Sequence, residues 1–293
     1  MRYRRTKNDQ TGMALVIVLW MMALLTLLAA GFSRMTRTEI VVVSQQAEQA
    51  RVRAMAEAGV WLAIHDLLSV EVDRDWVCDG REYVLPWHDG ALRLRLQDEA
   101  GRIDLNTARA ELLQGLLLSS VVDETTANNL LQSIMDWRDR DSERRIAGAE
   151  DDDYRRSGLA YDAKDGPFNG VAELRRVMGM NDEIFTAVEP ALTVYSHQPG
   201  INPALAPPAA LLAIPGMNED RVAKLIADRE NGIAAPMPFV AEADARFLTQ
   251  IRDQVVRVSS MGTLGENQVT LDVTVLLHRN QTDPISILAW QER

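Results

Sequence analysis

The sequence predicts an α+β protein. A long N-terminal helix, half of it in a membrane, packs on an antiparallel sheet, and a large all-α domain is inserted into that sheet. Three observations predict this. Residues 13–32 are uncharged and apolar, and no proline occurs between Met13 and Leu85, so one helix can continue well past that run. Strand patterns lie on either side of the mostly helical pattern of residues 106–248.

The apolar run has no polar side chain except Thr26. At ~1.5 Å per residue it is roughly 30 Å long, the thickness of a bilayer's hydrocarbon core. It outruns the apolar stretch of a cleaved signal, no small-x-small site closes it, and it is apolar on every face, which disfavours a buried core helix. Upstream, Arg2, Arg4, Arg5 and Lys7 face only Asp9, and that excess keeps the N-terminus cytoplasmic. Beyond the membrane, Ala47, Ala50, Ala54, Ala58, Trp61, Ile64 and Leu68 recur at helical steps and mark one apolar face. The helix is expected over Met13 to Ser69. Its small alanines suit close packing on a sheet or a neighbour better than a coiled-coil seam.

The strands come next. Residues 92–96 alternate leucine and arginine, and 81–85 are expected to pair with them across Trp87-His88-Asp89-Gly90. Ile251 to Ser259 and Val269 to His278 form a second pair, with Val269, Leu271, Val273, Val275 and Leu277 on one side. Leu192 to Tyr195 reads as a strand returning briefly to the sheet near 191–196. With 293 residues there is room for an anchor and about two domains. Net charge is −11, and −14 without residues 1–12, which opposes unspecific polyanion binding and suits cations. The single cysteine, Cys78, excludes an internal disulfide and a cysteine-based zinc site.

The inserted segment repeats weakly. Asn106-Thr107-Ala108 leads to Leu112-Leu113 and then to Leu130, Ile134 and Trp137. Asn202-Pro203-Ala204 leads to Leu211-Leu212, Ile214-Pro215-Gly216-Met217, then Ala223, Ile226 and Arg229. Between them stands Val177-Met178-Gly179-Met180. Each reads as two short helices around a glycine turn, and the unit at Gly216 resembles the helix-hairpin-helix (SAM-like) motif, whose backbone amides can hold a DNA phosphate. A membrane-anchored DNA receptor of a competence-like system is the rival reading. Asn218, Glu219 and Asp220 follow the turn and would repel a phosphate, so no nucleic acid is expected.

The densest polar stretch runs from Asp136-Trp137-Arg138-Asp139-Arg140-Asp141 to Gly148-Ala149-Glu150-Asp151-Asp152-Asp153-Tyr154. Its carboxylates can converge on one hard cation or form a solvated loop balanced by arginines, and the residues alone leave both readings open. No catalytic constellation appears. His65, His88, His197 and His278 are scattered, and no nucleophile elbow or phosphate loop is present, so an enzyme is not expected.

The Gly12-Met13 junction before the apolar run resembles the type IV pilin and pseudopilin family. The resemblance implies cleavage after Gly12 by a prepilin peptidase, with residues 1–12 as leader, 13–35 as the spanning half of the helix and 36–105 as pilin-like helix and first strands. Residues 106–248 are then the insertion and 249–293 the closing strands. The family's glutamate at the fifth mature position is Ile17 here, as in the large minor pseudopilin K of type II secretion, which lacks that residue. The run from Asp136 through Tyr154 to Asn169 and Glu173-Leu174 is similar to the inserted domain by which that family is recognised, and the domain binds calcium there. The resemblance implies Asp139, Asp141, Glu150 and Asp151 as ligands, with Asp136, Asp152 and Asp153 as second choices. It also implies a place in the inner membrane, a periplasmic body, and other minor pseudopilins of a tip complex as partners. These would pack along Ile17, Trp20, Leu24, Ala50, Ala54, Ala58 and Trp61.

Overall fold

The structure, a computed structural model, describes residues 11–69, 76–87, 89–120, 123–231, 242–252, 254–278 and 282–293. The charges of the expected leader and the His88 position of the first turn lie outside them. Helix α1 spans Thr11–Leu68, 58 residues, as the absence of proline allows. Its Met13–Gly31 stretch is long and apolar enough to cross a membrane, with mean hydropathy 2.6 and nothing buried against the body.

Past that stretch, α1 packs on the sheet through Val52, Met55, Ala56, Val60, Ala63, Ile64 and Leu67. Of the alanine series, which suits a sheet or a neighbour, only Ile64 points toward the sheet, while Ala50, Ala54 and Trp61 are exposed and Ala58 is half-buried. The helix is apolar on two sides, and Gly59 decides which side meets the sheet. A Cβ there would stand 2.3 Å from Ser260 Oγ and 2.7 Å from Leu92 Cδ1, so only glycine permits this approach. Beside it, Ser260 Oγ donates to the Ala56 carbonyl at 2.8 Å.

The five-stranded sheet has the order β1-β2-β5-β6-β7 and is antiparallel throughout. Strands β1 (Asp79–Trp87) and β2 (Gly90–Asp98) form the first hairpin, with Trp87 opposite Gly90. Strands β5 (Val255–Leu264) and β6 (Asn267–Leu277) form the second, turning at Gly265 with φ +57°. Leu92, Leu94, Leu96, Leu271, Val273 and Val275 are buried under α1, as their alternation requires. The edge strand β7 (Ile285–Glu292) carries no strict alternation and is not expected from the sequence as a separate strand. Because β2 and β5 are hydrogen-bonded neighbours, the insertion leaves and re-enters the sheet between adjacent strands without opening it.

Between them lies a second hydrophobic core. The strand pair β3 (Ile103–Asp104) and β4 (Leu192–Thr193) is parallel and stands at the neck of the insertion. The expected strand near 191–196 therefore exists but does not return to the main sheet. The fully buried Asp104 carboxylate holds it there, because it accepts from the N–H groups of Asn106 and Thr107 and from that of His197 across the neck.

Two halves follow one plan. In the first, α2 (Ala110–Ser119) precedes α3 (Glu124–Arg138), whose N-terminus is capped by Asp123. Arg138 at its end reaches back to the carbonyls of Leu105 and Ala108. In the second, beyond α5 (Asp182–Val188), α6 (Pro208–Leu212) precedes α7 (Glu219–Glu230), capped by Asn218, and Arg229 reaches back to Pro203 and Ala206. The halves meet where α2 crosses α6. A Cβ on Gly115 would lie 2.1 Å from the Ala213 carbonyl oxygen, so glycine sets the closeness of the crossing.

Candidate functional site

The acidic stretch is shaped by what stands on each side of it. Helix α3 ends in Asp136-Trp137-Arg138, a loop over 139–150 follows, and the short helix α4 (Asp151–Arg156) begins the return. Trp137 and Tyr154 anchor the two ends, their rings 5.6 Å apart with Phe168 stacked on Trp137. The loop closes over Asp136, which is fully buried and ion-paired to Arg145. Gly148 packs so close that a Cβ would stand 1.9 Å from Asp136 Oδ2.

In the space enclosed, carboxylate oxygens of Glu150, Asp151 and Asp165 lie within 4.8 Å of one another. Five oxygens of Asp139, Glu150, Asp151 and Asp165 are buried and accept no hydrogen bond. Buried carboxylates that lack donors are costly unless a cation sits among them. Burial first, and then the charges of Asp136, Asp165, Asp139 and Asp151, push the Glu150 carboxyl up to about 7. Burial and the charge of Asp151 likewise raise Asp165. An all-oxygen donor set of carboxylates is the chemistry of calcium, and the residues present fit that ion.

The placement divides the expected ligands. Glu150 and Asp151 are in the pocket, and Asp139 keeps one buried oxygen without a hydrogen bond while the other pairs with Arg145. Asp136 shares Arg145 with Asp139, Asp141 accepts from the N–H of Glu143, and the exposed Asp152 pairs with Arg155. Asp153 accepts from the Glu150 N–H and pairs with Arg156, because a carboxylate at the third helical position caps its own helix. The residue that sequence reasoning missed is Asp165. Its φ of +50° precedes Gly166, and the Asp-Gly pair is the turn signal that could have drawn attention to it.

A second feature is the side of α1 turned away from its own sheet. Trp61 is 50% exposed there, with Ala50 and Ala54 open to solvent. Ile17, Trp20 and Leu24 are exposed along the membrane half. The Gly216 hairpin does form, with φ +84°, but Arg221 Nη1 donates to the Gly216 carbonyl and Glu219 and Asp220 open the helix after it.

Known proteins resemble this chain in sequence and in fold. Residues 94–199, from β2 through the acidic pocket to the neck, match the family model described as type II secretion system (T2SS), protein K. A putative type II secretion system protein K of Escherichia coli strain K12 is 25% identical over 206 residues, 64% of this chain and 63% of that protein. The type II secretion system protein K of Klebsiella pneumoniae is 25% identical over 230 residues, covering 70% of each. The fold is that of a chain in the crystal structure of the GspK-GspI-GspJ complex from the enterotoxigenic Escherichia coli type 2 secretion system. That likeness has a TM-score of 0.60 at 16% identity over 88% of this chain and 99% of that one. The family match lies over the acidic pocket itself, and there in sequence, as in overall fold, the chain is similar to protein K of type II secretion systems.

Proposed function

We propose that this chain is a minor pseudopilin at the tip of a type II secretion pseudopilus, where it initiates or caps assembly with other minor pseudopilins. The observation that carries this reading is the unused apolar side of α1. The helix satisfies its own sheet with one face and leaves Ala50, Ala54, Ala58 and Trp61 for a neighbouring helix. Ile17 at the fifth position after Gly12 agrees with a subunit that has no neighbour ahead of it whose amine needs a carboxylate. The fold likeness to a chain of a three-pseudopilin complex supports partners of the same kind. In this reading a prepilin peptidase cuts after Gly12, Met13–Gly31 anchors the chain in the inner membrane, and the body stands in the periplasm. Calcium held by Glu150, Asp151 and Asp165 with Asp139 would clip the 139–150 loop to the Asp165 turn and remove the repulsion among these carboxylates.

The test uses the full chain co-expressed with the other minor pseudopilins. Ala54→Arg and Trp61→Glu alter exposed positions and should leave the melting temperature unchanged while abolishing co-purification and protein secretion. Wild-type co-purification by both variants would sink the proposal.

A further inference from the structure

The two edges of the main sheet, β1 and β7, differ in character. Strand β1 contains Pro86, which has no N–H to offer a further strand, a register shift between Asp79 and Glu82, and the charged residues Arg81 and Glu82. Such features keep a foreign strand away. Strand β7 runs Ile285-Ser286-Ile287-Leu288-Ala289-Trp290-Gln291-Glu292, with neither proline nor lysine and with no charge before Glu292. Ile287, Leu288 and Trp290 are exposed on it, Ile287 by 46%.

The phase of the ladder fixes which backbone groups of β7 face outward. Arg293 and Thr270 exchange both backbone bonds, the Arg293 N–H donating to the Thr270 carbonyl at 2.9 Å and the Thr270 N–H to the Arg293 carbonyl at 3.2 Å. In an antiparallel pair such exchanges alternate with positions that make none. Gln291 opposite Asp272 and Ala289 opposite Thr274 therefore bond to β6, and the N–H and C=O groups of Trp290 and Glu292 point away from it. Past the register shift, the His278 N–H donates to the Pro284 carbonyl at 2.7 Å, which puts Ser286 in phase with β6 and turns Ile287 outward. Among the described residues β7 is the last strand of this sheet, so these groups meet no further strand. Ile287 and Trp290 stand opposite the buried Val275 and Val273, which places their side chains on the α1 side. On that side Glu292 shares Arg53 with Glu57, at 3.3 Å and 3.2 Å, so two part-exposed carboxylates rest on one cation.

We propose that the outer edge of β7 takes an extended strand of a partner protein, antiparallel to β7. The strand carries apolar side chains opposite Ile287 and Trp290 and a basic residue opposite Glu292. A row of outward N–H and C=O groups is complementary to an extended backbone and to no compact ligand. The exposed Ile287 and Trp290 select apolar neighbours across the new pair. The excess of carboxylate around Arg53 sets the sign of the partner's charge at that end. The proposal does not rest on the helix contact through Ala50, Ala54 and Trp61.

The full chain in detergent, titrated with dye-labelled acetyl-Lys-Thr-Val-Thr-Val-Thr-amide, tests this. The peptide should bind saturably. Methylating both valine nitrogens removes donors while keeping every side chain, and should weaken binding by about tenfold or more. Replacing the peptide's lysine with glutamate should weaken it about threefold, the size of an exposed ion pair, and Glu292→Lys in the chain should reverse that preference. Ile287→Pro removes one outward N–H at a place where an edge strand tolerates proline, and should weaken the unmodified peptide about fivefold. Absence of saturable binding, equal binding of the methylated peptide, or an unchanged preference in Glu292→Lys would overturn the proposal. So would a dimer of the chain that Ile287→Pro dissolves, since the edge would then belong to a second copy. Where Ile287→Pro does not fold, the methylated peptide and Glu292→Lys decide.

Discussion

The two halves of the insertion solve one folding problem in different ways. Both begin at an asparagine that ties down its own loop. Asn106 exchanges hydrogen bonds with the backbone of Phe168, and Asn202 donates to the Ile251 carbonyl. Both are closed by a short parallel pairing, Ile103–Asp104 with Leu192–Thr193 in one and Ile201 with Leu248 in the other. Both end a capped helix in an arginine whose two-pronged reach satisfies carbonyls near the start. Burial lowers the guanidinium of Arg138 and pulls that of Arg229 down to about 10. They part after the arginine. The first half adds the aromatic group of Trp137, Tyr154, Tyr161 and Phe168 and the acidic pocket beside it, while among the described residues α7 buries only Val222 and Leu225. The frame is common, and the aromatic group and the acidic pocket are additions to one copy of it.

The largest test of that contrast is Trp137→Ala. The ring is 3% exposed, and its Nε1 donates to Glu173 Oε1 at 3.2 Å. Deleting it should cost about 3–5 kcal/mol in denaturant unfolding. Hydrogen exchange should quicken over α2 and α3 while α7 keeps its protection, and equal loss in both halves would show one cooperative unit instead.

Next in size is calcium removal. At a hundredfold excess over its dissociation constant the ion would stabilise by about 2.7 kcal/mol, and chelation should remove this from the first half only. The pH dependence has a definite sign. The folded Glu150 carboxyl titrates near 7 rather than at 4.5, so its contribution is fully present below 4.5 and is lost as pH rises through 7. Metal-free protein should therefore melt at a lower temperature at pH 8 than at pH 5, and calcium should help most at pH 8. Glu150→Gln should flatten the metal-free profile, and an unaltered profile would remove Glu150 from the pocket's electrostatics.

Much of the fold is legible in the sequence, for reasons that differ by element. The hairpins show because each strand buries one face under α1, and a period of two survives in Leu92-Arg93-Leu94-Arg95-Leu96 and in Val269 to Leu277. The orientation of α1 does not show, because a helix with one face for its sheet and another left open is apolar on both sides. Only the steric demand at Gly59 separates them. Strand β7 is obscure for a related reason: at the sheet's edge Ile287, Leu288 and Trp290 all stay partly exposed, and the ladder shifts register opposite Thr274 and Val275, so no alternation remains to be read. The pocket is legible as a composition but not in which carboxylates it brings together. Local helix capping takes Asp153 and ion pairing takes Asp136 and Asp152, and the place is filled by Asp165, brought from outside the acidic run by a left-handed turn.

The smallest expected effect separates frame from addition. Gly179 and Gly216 turn at φ +87° and +84°, and each is followed by methionine and an asparagine that caps the next helix, Asn181 through the Ile184 N–H and Asn218 through the Arg221 N–H. A Cβ on Gly179 would make only an ordinary contact, 3.8 Å from Leu130 Cδ1, so Gly179→Ala should cost only the backbone strain of a left-handed alanine, about 1–2 kcal/mol. Gly216→Ala should cost the same if the two hairpins are one turn used twice. The check is whether calcium changes either value. The Gly179 turn packs against the aromatic side of the pocket, since Met178 N–H donates to the Tyr154 hydroxyl at 3.0 Å. Calcium should therefore raise the midpoint of Gly179→Ala as much as that of the wild type, leaving the difference constant. A penalty at Gly179 that disappears with calcium would mean that the ion holds the hairpin as well as the loop, and that the first half is not the common frame with a pocket added.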